Sequence, residues 1–289
     1  IIFFSEPIVC DFVRVSYCTK GGIEYNDDEH KQLLASFADG GSIDVEKDEE
    51  SGIATVTVSD PDVRNAISGY MMAELRNVVD SLAKWKSGKG LLLRGAGGTF
   101  CSGANLKFVK RSCNPTDGYK MSRFMSCTLN RLHNLPLISI ALIEGAALGG
   151  GMELATACDF RVATSTAKAG FVHVRIGLVP GFGGGARLVQ LLGRKKALDV
   201  LSSGHIFNAE EAMECGLIDH IIPETEDAYD AAMKWLQQHT KQSASVTHAI
   251  KEVVLNGSNR INQYTMSREI EIFSRLWGGP ANREALDKS

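Results

Sequence analysis

Glu153 follows three consecutive glycines in the run Glu144-Gly-Ala-Ala-Leu-Gly-Gly-Gly-Met-Glu-Leu154. The run is preceded by Pro136-Leu-Ile-Ser-Ile-Ala-Leu-Ile143, which reads as a buried strand, and Met152 to Cys158 reads as the first turns of an apolar helix. Gly149, Gly150 and Gly151 then sit at the helix mouth. Amides there have no intrahelical partner, and the helix dipole favours negative charge in front of them. Such a place suits an oxyanion, with the Glu153 carboxylate close by to move or orient a proton. Taken alone, the run fits a tight turn packed against a neighbour equally well.

A second loop widens the chemistry. Gly90-Leu-Leu-Leu-Arg-Gly95 reads as another buried strand and leads into Gly97-Gly-Thr-Phe-Cys-Ser-Gly-Ala-Asn-Leu-Lys107, where the amide after Gly103, that of Ala104, is a candidate second donor. A third glycine-rich element is Gly177-Leu-Val-Pro-Gly-Phe-Gly-Gly-Gly-Ala-Arg-Leu188. With these three motifs in this order, the chain resembles the crotonase (enoyl-CoA hydratase/isomerase) superfamily from about Ser42 to its C-terminal helices. The resemblance implies an α/β fold, a spiral of stacked ββα turns with a C-terminal helical region that builds trimers. It divides the chain into an N-terminal extension (1–41), a spiral core (42–225) and a C-terminal helical region (226–289). It also implies an acyl-CoA substrate, coenzyme A being part of that substrate with no separate cofactor. The amides of Ala104 and Gly150 would form an oxyanion hole for the thioester enolate. Arg64, Ala66, Ile67, Gly103 and Lys107 would line the coenzyme A site, and Gly149, Pro180 and Phe182 the acyl pocket. Arg64 and Lys107 are candidate phosphate partners, the other reading of each being a solvated surface charge.

One position departs from the hydratases of this superfamily. They usually carry glutamate four residues before the glycine of the G-x-x-P-G segment, and Phe171-Val-His-Val-Arg-Ile-Gly177 has His173 there. Hydration uses two carboxylates to position and activate water, and only Glu153 of that pair is present. Histidine retains proton-transfer capacity near neutral pH; the other reading of His173 is a core side chain donating to a backbone carbonyl. The catalytic candidates are therefore His173 and Glu153. Phe171-Val-His173, the Gly-Gly-Gly-x-Glu turn and the late Trp277-Gly-Gly-Pro-Ala-Asn282 together resemble the members that decarboxylate 2-alkylmalonyl-CoA thioesters as metabolite repair. These act on ethylmalonyl-CoA and less readily on methylmalonyl-CoA. Such a reaction needs an enolate hole and an acid at C2, and no activated water. Alternatives are another crotonase reaction, such as hydration, isomerisation or hydrolysis, and an acyl-CoA-binding protein without turnover. RNA binding ranks lowest, because Lys107, Lys110 and Arg111 form only a modest basic cluster. Trp277 is expected to pack at a helix end and stays outside the catalytic set.

The elements that must hold these residues follow from periodicity. Asp28 to Phe37 reads as a short helix ended by Gly40-Gly41, and Ser42–Glu46 with Gly52–Val58 as a hairpin. Tyr70 to Trp85 reads as an amphipathic helix. Strand Leu91–Arg94, helix Asp117–His133, strand Leu137–Ile143, helix Met152–Ala157 and strand Phe160–Ala163 continue the alternation. Beyond Pro223 only helices are expected, at Asp227–His239, Ser245–Leu255 and Gln263–Trp277. The 289 residues, 44% of them hydrophobic, suffice for a substantial core, and a net charge of −3 gives no whole-protein signal for nucleic acid or an anionic membrane. Seven cysteines lack metal-ligand spacing, so reduced thiols and no metal site are expected. No apolar run approaches the roughly 20 residues a spanning helix needs. Ile1 to Lys20 fits neither a signal peptide nor an arginine-rich transit peptide. The expected compartment is the cytosol, the mitochondrion being second, and the expected assembly is a homotrimer or hexamer.

Overall fold

The computed structural model describes residues 25–37, 40–258 and 263–288. Most of the expected N-terminal extension, including Cys10 and Cys18, lies outside the described residues. The described part of it is α1 (Asp27–Ala35), capped by the Asn26 carboxamide. It packs on α2 (Gly69–Ala83) and α4 (Pro115–His133). The tie is Arg76, buried in α2, which pairs with Asp27 and donates to Thr128 Oγ1 at 2.8 Å and the Phe124 carbonyl at 3.1 Å.

The hairpin is β1 (Ser42–Asp48) and β2 (Ile53–Ser59), antiparallel in a register that opposes Ser42 to Ser59 and Asp48 to Ile53. β3 (Gly90–Gly95) and β4 (Ile138–Ile143) are buried on both faces, which is why they read as unbroken apolar runs rather than alternating ones. With β6 (Phe160–Thr164) and β9 (His220–Ile222) they complete a six-stranded sheet of order β1-β2-β3-β4-β6-β9, parallel from β2 onwards. One face of this sheet packs on α2 and α4, whose apolar stripes include Met71, Leu75, Val79 and Leu82 of α2. The other face, through Leu92, Ile140, Leu142 and Val162, receives Ala232 and Leu236 of α8 (Ala228–His239). α8 thus completes the core sheet although the sequence places it in the C-terminal region.

A second, three-stranded sheet is formed by β5 (Ala146–Leu148), β7 (Lys168–Gly170) and β8 (Phe207–Asn208). Its first strand ends at the glycine turn. The remaining helices are α3 (Leu106–Arg111), α5 (Gly150–Ala155), α6 (Gly184–Ser203), α7 (Ala209–Cys215), α9 (Ala244–Ser258), α10 (Gln263–Leu276) and α11 (Pro280–Asp287). All elements described after β9 are helices, as the periodicity beyond Pro223 predicts. No described helix is long and apolar enough to cross a membrane.

Candidate active site

The two glycine loops are brought together by backbone pairing. Phe100 and Cys101 donate to the carbonyls of Glu144 and Ala146 at 2.7 and 3.0 Å, and Leu148 donates back to Cys101 at 3.0 Å. The loop after β3 is thereby zipped to β5. On its other side Ile67 donates to the Gly103 carbonyl at 2.8 Å and Asn105 to the Ile67 carbonyl at 2.9 Å. Ala104, held between these bonds, is left with a free amide. Gly149 has φ 54° and ψ −120°, a conformation that favours glycine, and it turns the chain from β5 into α5. Its own amide is used by the Gly170 carbonyl at 2.8 Å, so the donors at the helix mouth begin at Gly150. Helix α5 accordingly starts at Gly150, two residues before the Met152 start expected from apolar periodicity.

The Ala104 nitrogen lies 3.6 Å from where a β-carbon on Gly150 would stand, and the Gly150 nitrogen 3.4 Å from that of a β-carbon on Gly103. Neither the Ala104 nor the Gly150 amide donates to another group among the described residues. Two unpaired donors facing one small space form an arrangement suited to an oxyanion. The Phe182 ring closes one side: a β-carbon on Gly150 would meet it at 2.9 Å.

Glu153 is buried, and both of its carboxylate oxygens are engaged. Oε1 accepts from the amides of Phe182 at 2.7 Å and Gly184 at 2.9 Å; Oε2 accepts from the amide of Gly181 at 3.3 Å and lies 2.9 Å from His173 Nε2. The carboxylate therefore caps α6, whose start has no side-chain cap of its own. Burial alone would raise the Glu153 carboxyl. The hydrogen bond and charge of His173, the Phe182 amide and the Arg187 charge outweigh it and hold the group below the ordinary range. Arg187 also donates to the Glu153 and Phe182 carbonyls, both at 2.9 Å. It stands inside the third glycine-rich motif, yet neither spacing nor periodicity assigns it a role.

His173 sits on a short 3-10 turn, Val172–Ile176, closed by Gly177 in the left-handed conformation. Its side chain is buried, and Nε2 lies 3.9 Å from where a β-carbon on Gly149 would stand. Glu153 can only accept, so the network assigns a proton to Nε2. Nδ1 has no hydrogen-bond partner among the described residues. The other reading of His173, a core side chain donating to a backbone carbonyl, is not what the described residues show.

The structure thus places Gly103, Ala104, Gly149, Gly150, Glu153, His173 and Phe182 around one space; Pro180 is buried beside them in the chain. Ala66 and Ile67 are buried in the wall behind the Ala104 loop, whereas Arg64 and Lys107 are exposed. Lys107 is close enough to Asp60 to oppose the upward push that partial burial and Asp62 exert on its carboxyl. Arg111 packs over the Phe37 ring, its guanidinium carbon 4.9 Å from the centroid. Trp277 is buried against Gly118 of α4, as a helix-closing aromatic should be. No group of three His, Cys, Asp or Glu side chains among the described residues is placed to hold a metal ion.

A parallel-sheet spiral with two free amides from adjoining glycine loops and a buried acidic group defines a class, and residues 48–286 match the enoyl-CoA hydratase/isomerase family. The chain belongs to that family and has the crotonase fold. The enoyl-CoA hydratase from Bacillus halodurans superposes with a TM-score of 0.77 at 20% identity, covering 86% of this chain and 99% of its own. An enoyl-CoA hydratase/isomerase from Mycobacterium paratuberculosis gives 0.78 at 20%, over 86% and 98%. Much higher identity is found with proteins named ethylmalonyl-CoA decarboxylase. The Gallus gallus protein is 46% identical over 270 residues, 93% of this chain and 90% of the relative. The Danio rerio protein is 47% identical over 260 residues (89% and 86%), and the Homo sapiens protein 40% over 274 (94% and 88%).

Proposed function

We propose that this chain is an ethylmalonyl-CoA decarboxylase, a carbon–carbon lyase that also accepts methylmalonyl-CoA less readily. The observation that carries the reading is the direct 2.9 Å contact between His173 Nε2 and Glu153 Oε2, beside the Ala104 and Gly150 amides. A hydratase needs a water held between two acidic groups; here the two groups bond to each other, and the space between them is closed. The high identity to proteins of that name supports the same reading.

The reaction runs in two steps. The bond from C2 to the substrate carboxylate breaks, carbon dioxide leaves, and the electron pair passes through C2 onto the thioester oxygen, where the two amides receive the enolate. C2 then takes a proton and acyl-CoA is released. Glu153, held low and saturated with donors, has no proton to give. The proton comes from the doubly protonated His173 imidazole, which ends as the neutral ring and is reprotonated from solvent; Glu153, hydrogen-bonded to Nε2, acts as the positioning residue that holds the ring. Carboxylate saturation also answers the repulsion between Glu153 and an anionic substrate, since four donors surround it. Coenzyme A enters only as part of the substrate, with Arg64 and Lys107 at its phosphates and Gly149, Pro180 and Phe182 at its acyl branch.

Further assignments belong to the same proposal. Metabolite repair is the role such a reaction serves, removing branched malonyl thioesters formed by side reactions. Cys101, Cys113, Cys127, Cys158 and Cys215 are free thiols, which suits the cytosol, with the mitochondrion as the second choice. A trimer or a hexamer is supported by the exposed apolar residues Val246, Ile250, Val253 and Val254 on α9. The test is incubation of purified protein with ethylmalonyl-CoA, methylmalonyl-CoA, malonyl-CoA and crotonyl-CoA, with products followed by mass spectrometry. Carbon dioxide loss from the branched substrates supports the reading; hydration of crotonyl-CoA alone overturns it.

A further inference from the structure

The segment Trp277-Gly-Gly-Pro-Ala-Asn282, where α10 gives way to α11, grips three parts of the active-site framework. The Trp277 indole N–H donates to the Ser112 carbonyl between α3 and α4, and its ring fills the space above Gly118. One turn earlier, the Phe273 ring covers Gly181, where a β-carbon would meet it at 2.5 Å. Asn282, fully buried, donates from Nδ2 to the Ile176 carbonyl at 2.8 Å and accepts at Oδ1 from the Gly278 amide at 2.9 Å. The orientation of its carboxamide is fixed by these partners, because a carbonyl requires a donor and an amide an acceptor.

Ile176 is the last residue of the turn that carries His173. That turn is short, and such 3-10 segments have poorer hydrogen-bond geometry than an α-helix. Its near-chain closures are Gly177 to the Val174 carbonyl at 3.1 Å and Leu178 to the His173 carbonyl at 3.0 Å. Arg175 of the turn donates from Nε to the Gly204 carbonyl at 2.9 Å, and the buried Asn282 side chain, from the far end of the sequence, adds a second tertiary anchor at the end nearest Gly177. We infer that Asn282 is a positioning residue for His173: through the Ile176 carbonyl it fixes the turn, and so the place of the imidazole beside Glu153 and the two free amides. This role rests on His173 being the proton donor.

The test compares Asn282→Asp, Trp277→Phe and His173→Gln in the full chain, measuring kcat, KM and melting temperature with ethylmalonyl-CoA. Asn282→Asp keeps the size and the acceptor for Gly278 but removes the donor to Ile176. Its kcat is expected to fall roughly 10²-fold, the cost of a small misplacement of a reacting group, with KM unchanged. Trp277→Phe removes a hydrogen bond of the same segment without touching the His173 turn. It is expected to lower the melting temperature and leave kcat in place. Parental kcat in Asn282→Asp, or an equal fall in Trp277→Phe, overturns the inference. Should the aspartate prevent folding, Asn282→Ala enters the same comparison with the same expectations. Full activity in His173→Gln would sink the reading of His173 whatever Asn282 does, so the two failures are distinguishable.

Discussion

His173 Nε2 and Glu153 Oε2 stand 2.9 Å apart, and the same carboxylate binds the amides of Gly181, Phe182 and Gly184. One side chain from α5 thus joins the His173 turn, the loop at 181–184 and the start of α6. Replacing Glu153 by Gln puts an amide donor against donors already in place. We expect a loss of about 1–3 kcal/mol of stability from the unsatisfied groups and at least a 10²-fold fall in decarboxylation, read by urea denaturation and by carbon dioxide release.

His173→Gln tests the proton step apart from the framework. A glutamine can donate to Glu153 yet cannot deliver a proton to carbon. Stability should stay near the parent, KM should hold, and kcat should drop roughly 10²- to 10⁴-fold, the usual contribution of a general acid. A parental kcat would remove His173 from the reaction.

Gly150→Ala places a β-carbon 2.9 Å from the Phe182 ring. The ring or the turn must shift, which moves the Gly150 amide away from the position proposed for the enolate oxygen. The expected cost is about 10²- to 10³-fold in kcat, comparable to losing one oxyanion donor. Adding Phe182→Leu makes room and should recover part of it; no recovery in the double variant would show that crowding by the ring is not the cause.

Two buried histidines set an acid limit on folding. Burial, with the Lys120 charge at His30 and the Lys251 and Arg187 charges at His133, lowers both from 6.5 to about 4. The unfolded chain then binds more protons than the folded one between these values. The stabilisation is complete above pH 6.5 and is lost as the pH falls towards 4. His30→Leu should flatten this dependence, measured as urea midpoints at about pH 7 and about pH 5; an unchanged slope would mean that His30 titrates alike in both states.

Much of the scaffold is legible because its signals are local. The apolar runs of β3 and β4, the alternating hairpin and the stripe on α2 each declare their burial in their own residues. Helix α4 begins at Pro115 rather than the expected Asp117 because the Asn114 carboxamide caps it and proline suits its first position. Helix α6 escapes periodicity. Glycines crowd its start, Gly193 interrupts its helical geometry, and its cap is Glu153, thirty-one residues away. Asn282 and Arg187 were equally invisible as site residues, since each acts on a backbone carbonyl brought near only by folding. The family resemblance picks out Glu153 and His173 as candidates but not their direct contact. That contact depends on the His173 turn folding back over α5.

The central claim is that the His173–Glu153 pair serves proton delivery to an enolate and not addition of water. The most direct measurement is turnover of ethylmalonyl-CoA in deuterated water, with the product analysed by mass spectrometry alongside a crotonyl-CoA control. The account predicts carbon dioxide and butyryl-CoA carrying one deuterium at C2, with crotonyl-CoA unchanged. Intact ethylmalonyl-CoA together with 3-hydroxybutyryl-CoA from the control would contradict it.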